Sequence, residues 1–262
     1  MCILSYLPPG TPADVHGLFN GGANNPDGHG WAIVAGEEIV SAKSLELVDA
    51  LDEFVEARER YPDGPALFHS RWATHGSVRV DNVHPFLVGG SRRTVVAHNG
   101  ILPKGAHPLA GDDRSDTRKF AEEILPRQYR RLDRAGVQRA LSRWCGLGNK
   151  LVILTVDPRY RNHAYIVNED AGQWDAATGI WHSNDDYVHY PNWSQLGTSP
   201  ARADSPGRCG DVCAVCGYGL ADAHGYCDSC RSCQDCWEDV GTCMCWNRRA
   251  MPSDDYRQSI RP

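Results

Sequence analysis

The cysteines of this chain are spread so unevenly that they divide it before any other feature is read. Of 11 cysteines, only Cys2 and Cys145 precede residue 209, and the other nine fall between Cys209 and Cys245. In a reducing compartment such clustering points to metal rather than to disulfides. Cys213-x2-Cys216 and Cys227-x2-Cys230 form a zinc-ribbon-like pair of knuckles, and Cys233-x2-Cys236 with Cys243-x-Cys245 offers donors for a second site. Four thiolates close a tetrahedral zinc site, which makes it structural, because catalytic zinc keeps one position open. Eight paired donors suit about two zinc ions per chain. Cys209 is then spare, and Cys230-x2-Cys233 permits other partitions. A segment this short buries little apolar surface, so the metal would supply its folding energy.

Charge narrows the partners of that cluster. Between residues 209 and 246 six acids face a single base, Arg231. Each zinc held by four thiolates adds further negative charge, so the module opposes a phosphate backbone and suits protein docking or a purely structural role. The whole chain carries a formal charge of −6, which gives no reason to expect nucleic acid. No apolar run approaches the roughly 18 residues of a membrane helix. The N-terminal residues have no basic lead and too short an apolar stretch for a signal peptide, so a cytoplasmic location is expected.

The first 185 residues alternate between strand and helix patterns, and 41% hydrophobic residues provide for a large core. Apolar runs predict strands at residues 2–7, 31–34, 66–70, 94–98, 151–156 and 164–167. Residues 38–42 should pair back on 31–34 across Gly36, and residues 174–181 suit a last hairpin. Ser44 is placed to cap a helix burying Leu47, Val48, Leu51, Phe54 and Val55. Further helices are expected at 115–125, ended by Pro126, and at 133–144. Residues 186–208 read as a linker, 209–246 as the cysteine-rich module and 247–262 as a polar tail.

Cys2 follows the initiator methionine directly. Removal of Met1 would put a thiol and a free α-amine on one residue, and an amine with a reference pKa near 7.7–8.0 can take and return the thiol proton. By position alone, a small buried hydrophobe in the first strand explains Cys2 as well. The motifs between residues 69 and 117 separate the two readings: His69-Ser70-Arg71-Trp72-Ala73-Thr74-His75-Gly76, then Asn82-Val83-His84-Pro85, His98-Asn99-Gly100 and Ser115-Asp116-Thr117. In this order they resemble the glutaminase domain of glucosamine-6-phosphate synthase and amidophosphoribosyltransferase, the class II glutamine amidotransferases.

The resemblance spans about residues 2–185 and implies an α+β fold, the four-layered αββα sandwich of N-terminal-nucleophile hydrolases. It implies that Cys2 attacks the glutamine side-chain amide while the amide of Asn99 and the backbone N–H of Gly100 hold the oxyanion. Arg71 would clamp the α-carboxylate and Asp116 the α-ammonium, with Trp72, Thr74, His75 and His84 around the same pocket. Chemistry supports these assignments, because guanidinium pairs with carboxylate through two parallel hydrogen bonds. One stretch departs from the synthases, which carry an arginine-glycine pair where this chain has Asn24-Asn25-Pro26-Asp27-Gly28-His29-Gly30, a turn before a strand. That version is similar to stand-alone members of the class.

Glutamine hydrolysis would release glutamate and ammonia, and residues 186–262 resemble no synthase, so a separate ammonia-accepting subunit is expected. Two other readings stand beside this one. One is a hydrolase of another γ-glutamyl amide, without ammonia transfer. The other is an inactive scaffold that binds partners through its zinc module.

Overall fold

Alternation along the strands sorts apolar side chains onto two faces, and this sorting builds the molecule. The computed structural model describes residues 2–73, 76–109, 111–188 and Tyr226. Thr74, His75 and the proposed zinc ligands Cys213, Cys216, Cys227, Cys230, Cys233, Cys236, Cys243 and Cys245 lie outside them. The chain divides into two compact units, Met1–Leu196 and Gly197–Pro262, and every element below belongs to the first.

Six strands form one antiparallel sheet: β1 (Ile3–Leu7), β2 (His29–Ala35), β3 (Glu38–Ser44), β4 (Ala66–Ser70), β9 (Gln173–Trp174) and β10 (Trp181–His182), in the order β3-β2-β4-β1-β10-β9. A second sheet runs β5-β6-β7-β8, from β5 (Phe86–Val88), β6 (Ser91–Asn99), β7 (Lys150–Thr155) and β8 (Ala164–Val167). Leu4, Ala32, Val34 and Leu67 of the first sheet pack against Val95, Ala97, Val152 and Leu154 of the second. Their sequence neighbours Trp31, Ile33, Ala66 and Phe68 turn outward onto Leu18, Leu51 and Phe54, carried by helices α1 (Val15–Asn24) and α2 (Leu47–Arg60). On the far side, Val96, Leu151 and Ile153 pack on Phe120, Leu125 and Leu141. These belong to a π turn (Phe120–Ile124) that continues α3 (Asp116–Lys119), to α4 (Leu125–Gln128) and to α5 (Ala135–Cys145). Two sheets face to face, each roofed by helices, make the αββα sandwich that was expected.

Several local expectations change. Pro126 does not end the helical segment at 115–125: the π turn precedes it and Pro126 enters α4 at its first turn, where a missing N–H costs nothing. Ser44 closes β3 and its hydroxyl accepts from the Glu46 N–H at 2.9 Å, while Glu46 takes the helix N-cap position. Val48 faces solvent, and Ala50, Ala57 and Arg58 join Leu51 and Phe54 on the buried side of α2.

Helix α1 escaped the sequence pattern because Gly17, Gly21 and Gly22 lower its propensity. Packing explains those glycines. A Cβ on Gly21 would stand 2.9 Å from the Ile3 side chain, and one on Gly22 would collide with Leu47. The glycines let α1 lie close on both β1 and α2.

Buried histidines give the fold a marked acid sensitivity. Burial pushes the imidazoles of His29 and His182 down to about 4 and that of His69 to about 3. Their folded pKa values lie below the unfolded value of about 6.5, so between pH 6.5 and about 4 the unfolded chain binds protons that the folded one refuses. Stability therefore rises with pH across this window, and each such histidine costs about 1.4 kcal/mol per unit as pH falls. Urea unfolding midpoints should drop steeply between pH 7 and pH 5, and a flat profile there would contradict the burial of these rings.

Candidate active site

Strand pairing brings the N-terminal cysteine to the same end of the sandwich as the downstream motifs. In β1, Ile3 pairs with Ser70 of β4, which also pairs with His29 of β2. The residues just beyond these ends therefore meet. Trp72 N donates to Cys2 Sγ at 3.3 Å, and Sγ in turn lies 3.5 Å from Trp72 O. The Cys2 thiol is half-buried, and desolvation raises its pKa against the opposing pull of the Trp72 backbone and the Arg71 charge. Asp116 acts on the same thiol and raises its pKa further. The thiol is thus the resting form, and it needs a base to become a nucleophile.

Arg71 is 2% exposed and its Nη1 donates to Ser77 O at 3.0 Å. Its backbone is fixed by the turn that precedes β2: Arg71 N donates to Gly28 O at 2.8 Å, and Asp27 N donates to Arg71 O at 2.9 Å. Asp27 Oδ2 also accepts from Ala73 N at 2.7 Å. The stretch that departs from the synthases is therefore a clamp on residues 71–73, as well as the expected turn.

Asp116 opens α3 behind Ser115, whose hydroxyl caps the helix by accepting from Arg118 N at 3.1 Å. Its carboxylate accepts from Leu102 N at 2.9 Å and from Thr117 N at 2.7 Å. Asn82, quoted above only as part of a motif, acts as a buried tie. Its Nδ2 donates to Ser77 O at 3.2 Å and Asp113 O at 2.7 Å, and its Oδ1 accepts from Ser115 N at 3.0 Å. It thus joins the loop gripped by Arg71 to the loop that carries Asp116. A cavity of about 470 Å³ opens beside this tie, lined by Ser77, Asn82, Arg79, Arg114, Arg118 and acidic neighbours.

Asn99 ends β6 fully buried, and Gly100 follows with φ +132°, where a Cβ would run into Asn149. Only glycine fits that step, which fixes the backbone beyond Asn99. His98, one residue earlier, approaches Thr117 Oγ1 through Nδ1 and Asn149 Oδ1 through Nε2, both at 2.8 Å. Because the Asn149 oxygen only accepts, Nε2 carries the proton, and Nδ1 faces the Thr117 hydroxyl, which also lies 3.2 Å from Asp116 Oδ1.

Two of the expected pocket residues differ sharply in burial. The Trp72 ring is 46% exposed, and it is the Trp72 backbone that brackets the sulfur. His84 is 4% exposed, with its ring centroid 4.0 Å from that of His69 and 4.7 Å from that of Phe86. Neither ring nitrogen of His84 has a hydrogen-bond partner among the described residues. Thr74 and His75 fall outside those residues. The structure also adds two residues that no motif announced. Asn184 Nδ2 donates to Cys2 O at 3.0 Å, and Ser183 lies against Asn99. Their separation from Cys2 and Leu4 by roughly 180 residues left no local signal to read. Among the described residues no group of three or more His, Cys, Asp or Glu side chains is arranged to hold a metal, and no helix is long and apolar enough to cross a membrane.

No family profile matches the chain. Shorter segments match curated proteins. The glutamine–fructose-6-phosphate aminotransferase of Chlamydia caviae is 36% identical over 92 residues, covering 35% of this chain and 15% of that protein. The enzyme of the same name from Corynebacterium efficiens is 43% identical over 77 residues, 29% of this chain and 12% of the relative. That of Streptomyces coelicolor is 33% identical over 115 residues, 43% and 18% of the two chains. The matched segments thus span less than a fifth of these relatives. Among solved structures, the glutamine phosphoribosylpyrophosphate amidotransferase of B. subtilis aligns over 70% of this chain and 42% of its own, with 16% identity and a TM-score of 0.48. A glutamine aminotransferase class-II domain protein of Silicibacter pomeroyi aligns over 70% and 87%, with 16% identity and a TM-score of 0.33. In sequence, this chain is therefore similar to part of several glutamine–fructose-6-phosphate aminotransferases.

Proposed function

We propose that residues 2–185 hydrolyse glutamine to glutamate and ammonia, with Cys2 as nucleophile. The observation that carries this reading is the bracketing of the half-buried Cys2 thiol by the backbone of Trp72, which directly follows the buried Arg71. Free glutamine presents complementary charges, an α-carboxylate for Arg71 and an α-ammonium for Asp116, beside a neutral amide for the thiol. Sequence similarity to enzymes named for glutamine supports the same substrate.

The steps follow from proton balance. Once Met1 is removed, the Cys2 α-amine takes the thiol proton while sulfur bonds to the amide carbon. The oxyanion is held by Asn99 and Gly100. Collapse breaks the C–N bond, ammonia leaves with the proton returned by the α-amine, and a thioester remains. Water, deprotonated by the same amine, attacks that thioester and releases glutamate and the thiol. Arg71 and Asp116 hold the head group throughout. The ammonia passes to an ammonia-accepting synthase, a reading supported by the similarity to aminotransferases that are named for glutamine. The eight paired cysteines hold zinc structurally, and the acidic module docks protein rather than nucleic acid.

Intact mass of the active protein should show loss of Met1, and Cys2→Ala should abolish glutamine hydrolysis. Active enzyme that keeps its methionine would rule out the amine as base. Substitutions should separate binding from chemistry. Arg71→Ala should raise KM for glutamine at least tenfold, because it removes a ground-state contact, whereas Asn99→Ala should lower kcat by about 10²–10³ with KM little changed. Steady-state kinetics distinguishes the two patterns. Elemental analysis of the full chain should find about two zinc ions, and a chain ending near Ala203 should lack them yet still hydrolyse glutamine. Loss of activity in that shorter protein, if it folds, would make the cluster part of the catalytic unit.

A further inference from the structure

We infer that Ser183 is a positioning residue, which sets the orientation of the Asn99 carboxamide and thereby turns a donor toward the reacting amide. This rests on the function proposed above and extends it to a residue outside the resembling motifs.

The argument is a count of hydrogen bonds in a dry place. Asn99 is fully buried and Ser183 is 1% exposed. Ser183 is anchored to the nucleophile strand through both its backbone and its hydroxyl: Ser183 N donates to Leu4 O at 2.9 Å, and Ser183 Oγ accepts from Leu4 N at 2.9 Å. The same hydroxyl lies 2.8 Å from Asn99 Nδ2, while Asn99 Oδ1 is buried without any partner among the described residues. In that arrangement the hydroxyl accepts twice, its own proton is unused, and an amide oxygen is stranded. Turning the carboxamide over, which keeps its shape, resolves the mismatch. Ser183 Oγ–H then donates to Asn99 Oδ1 and still accepts from Leu4 N, and Nδ2 occupies the side where the oxygen had no partner. A stranded acceptor would repel an oxyanion, whereas an unused donor is what an oxyanion hole requires.

The neighbouring residue makes the anchorage two-pointed. Asn184 Nδ2 donates to Cys2 O at 3.0 Å, so residues 183 and 184 hold the backbone of the nucleophile and the side chain of the oxyanion donor from one short segment. The hydroxyl at 183 is thus the element that fixes which face of Asn99 meets substrate, without itself touching it.

Ser183→Ala in the full chain tests this. The expected result is a fall in kcat for glutamine of about 10–100-fold with KM within about twofold. Alkylation of Cys2 by iodoacetamide, read on the Cys2 peptide by mass spectrometry, should keep its rate, because that reaction forms no oxyanion. Added to Asn99→Ala, the Ser183 substitution should cost nothing more, since it acts through a group already gone. Ser183→Thr, which keeps the hydroxyl, should recover most of the turnover. Unchanged kcat in Ser183→Ala, or losses that add in the double variant, would overturn the assignment. A joint loss of turnover and of Cys2 alkylation would also overturn it, by showing a structural role alone. If Ser183→Ala does not fold, Ser183→Thr and Ser183→Cys decide: equal turnover in the two would overturn the assignment. Absence of glutamine hydrolysis in the unaltered protein would instead sink the proposed function, so the two failures are distinguishable.

Discussion

The placement of β1 between β4 and β10 governs the rest of the structure. Its register, with Ile3 opposite Ser70 and Ser5 opposite His182, sets Cys2 just beyond the end of the β4 pairing and past the shorter pairing with β10. On one side that position meets the Trp72 backbone, and on the other it meets Asn184, while Leu4 bonds to Ser183. A slip of one residue would turn Leu4 away from the intersheet core and carry Cys2 out of this bracket, because side chains alternate faces along a strand. The core therefore enforces the register on which the site depends. Leu4 and Trp181 sit at zero exposure between the sheets, and they hold β1 and β10 in place.

Electrostatics at the site follows from the same burial. Excluding water raises the pKa of the Cys2 thiol and holds the nearby histidines neutral. It also strengthens the action of Arg71 and Asp116 on any charge placed between them. The carboxylate of Asp116 is oriented by backbone N–H groups of Leu102 and Thr117, and Arg71 by the carbonyl of Ser77. Fixed dipoles of this kind need no reorganisation when a substrate charge arrives, which is the physical basis of preorganisation.

Much of this arrangement is readable along the chain. The strands at 66–70 and 164–167 coincide with those in the structure, and most others match to within a few residues. Continuous apolar runs announce strands covered on both faces, whatever their partners. The order of Cys2, Arg71, Asn99 and Asp116 is a linear signal, and the structure brings these four to one end of the sandwich. Helix α1 was not readable, because its glycines serve close packing against Ile3 and Leu47 rather than helix propensity. Nor was the course of the chain past Pro126, since a π turn shifts the hydrogen-bond register where the ring enters.

By itself, then, the sequence determined which residue types are available for chemistry and which segments must be buried. It could not determine that the Trp72 backbone brackets the Cys2 sulfur, that His84 packs on His69 inside the protein, or that Asn82 ties two loops together. Those outcomes depend on which strand ends share an edge of the sandwich, and that is decided by pairing over separations of up to about 180 residues. Ser183 and Asn184 illustrate the difference most sharply. They follow a two-residue strand near the end of the unit, and they reach the nucleophile only because β10 pairs with β1. Periodicity reports how one segment meets the core, whereas the hydrogen bonds that aim a site are made between segments, and only tertiary structure assigns their partners.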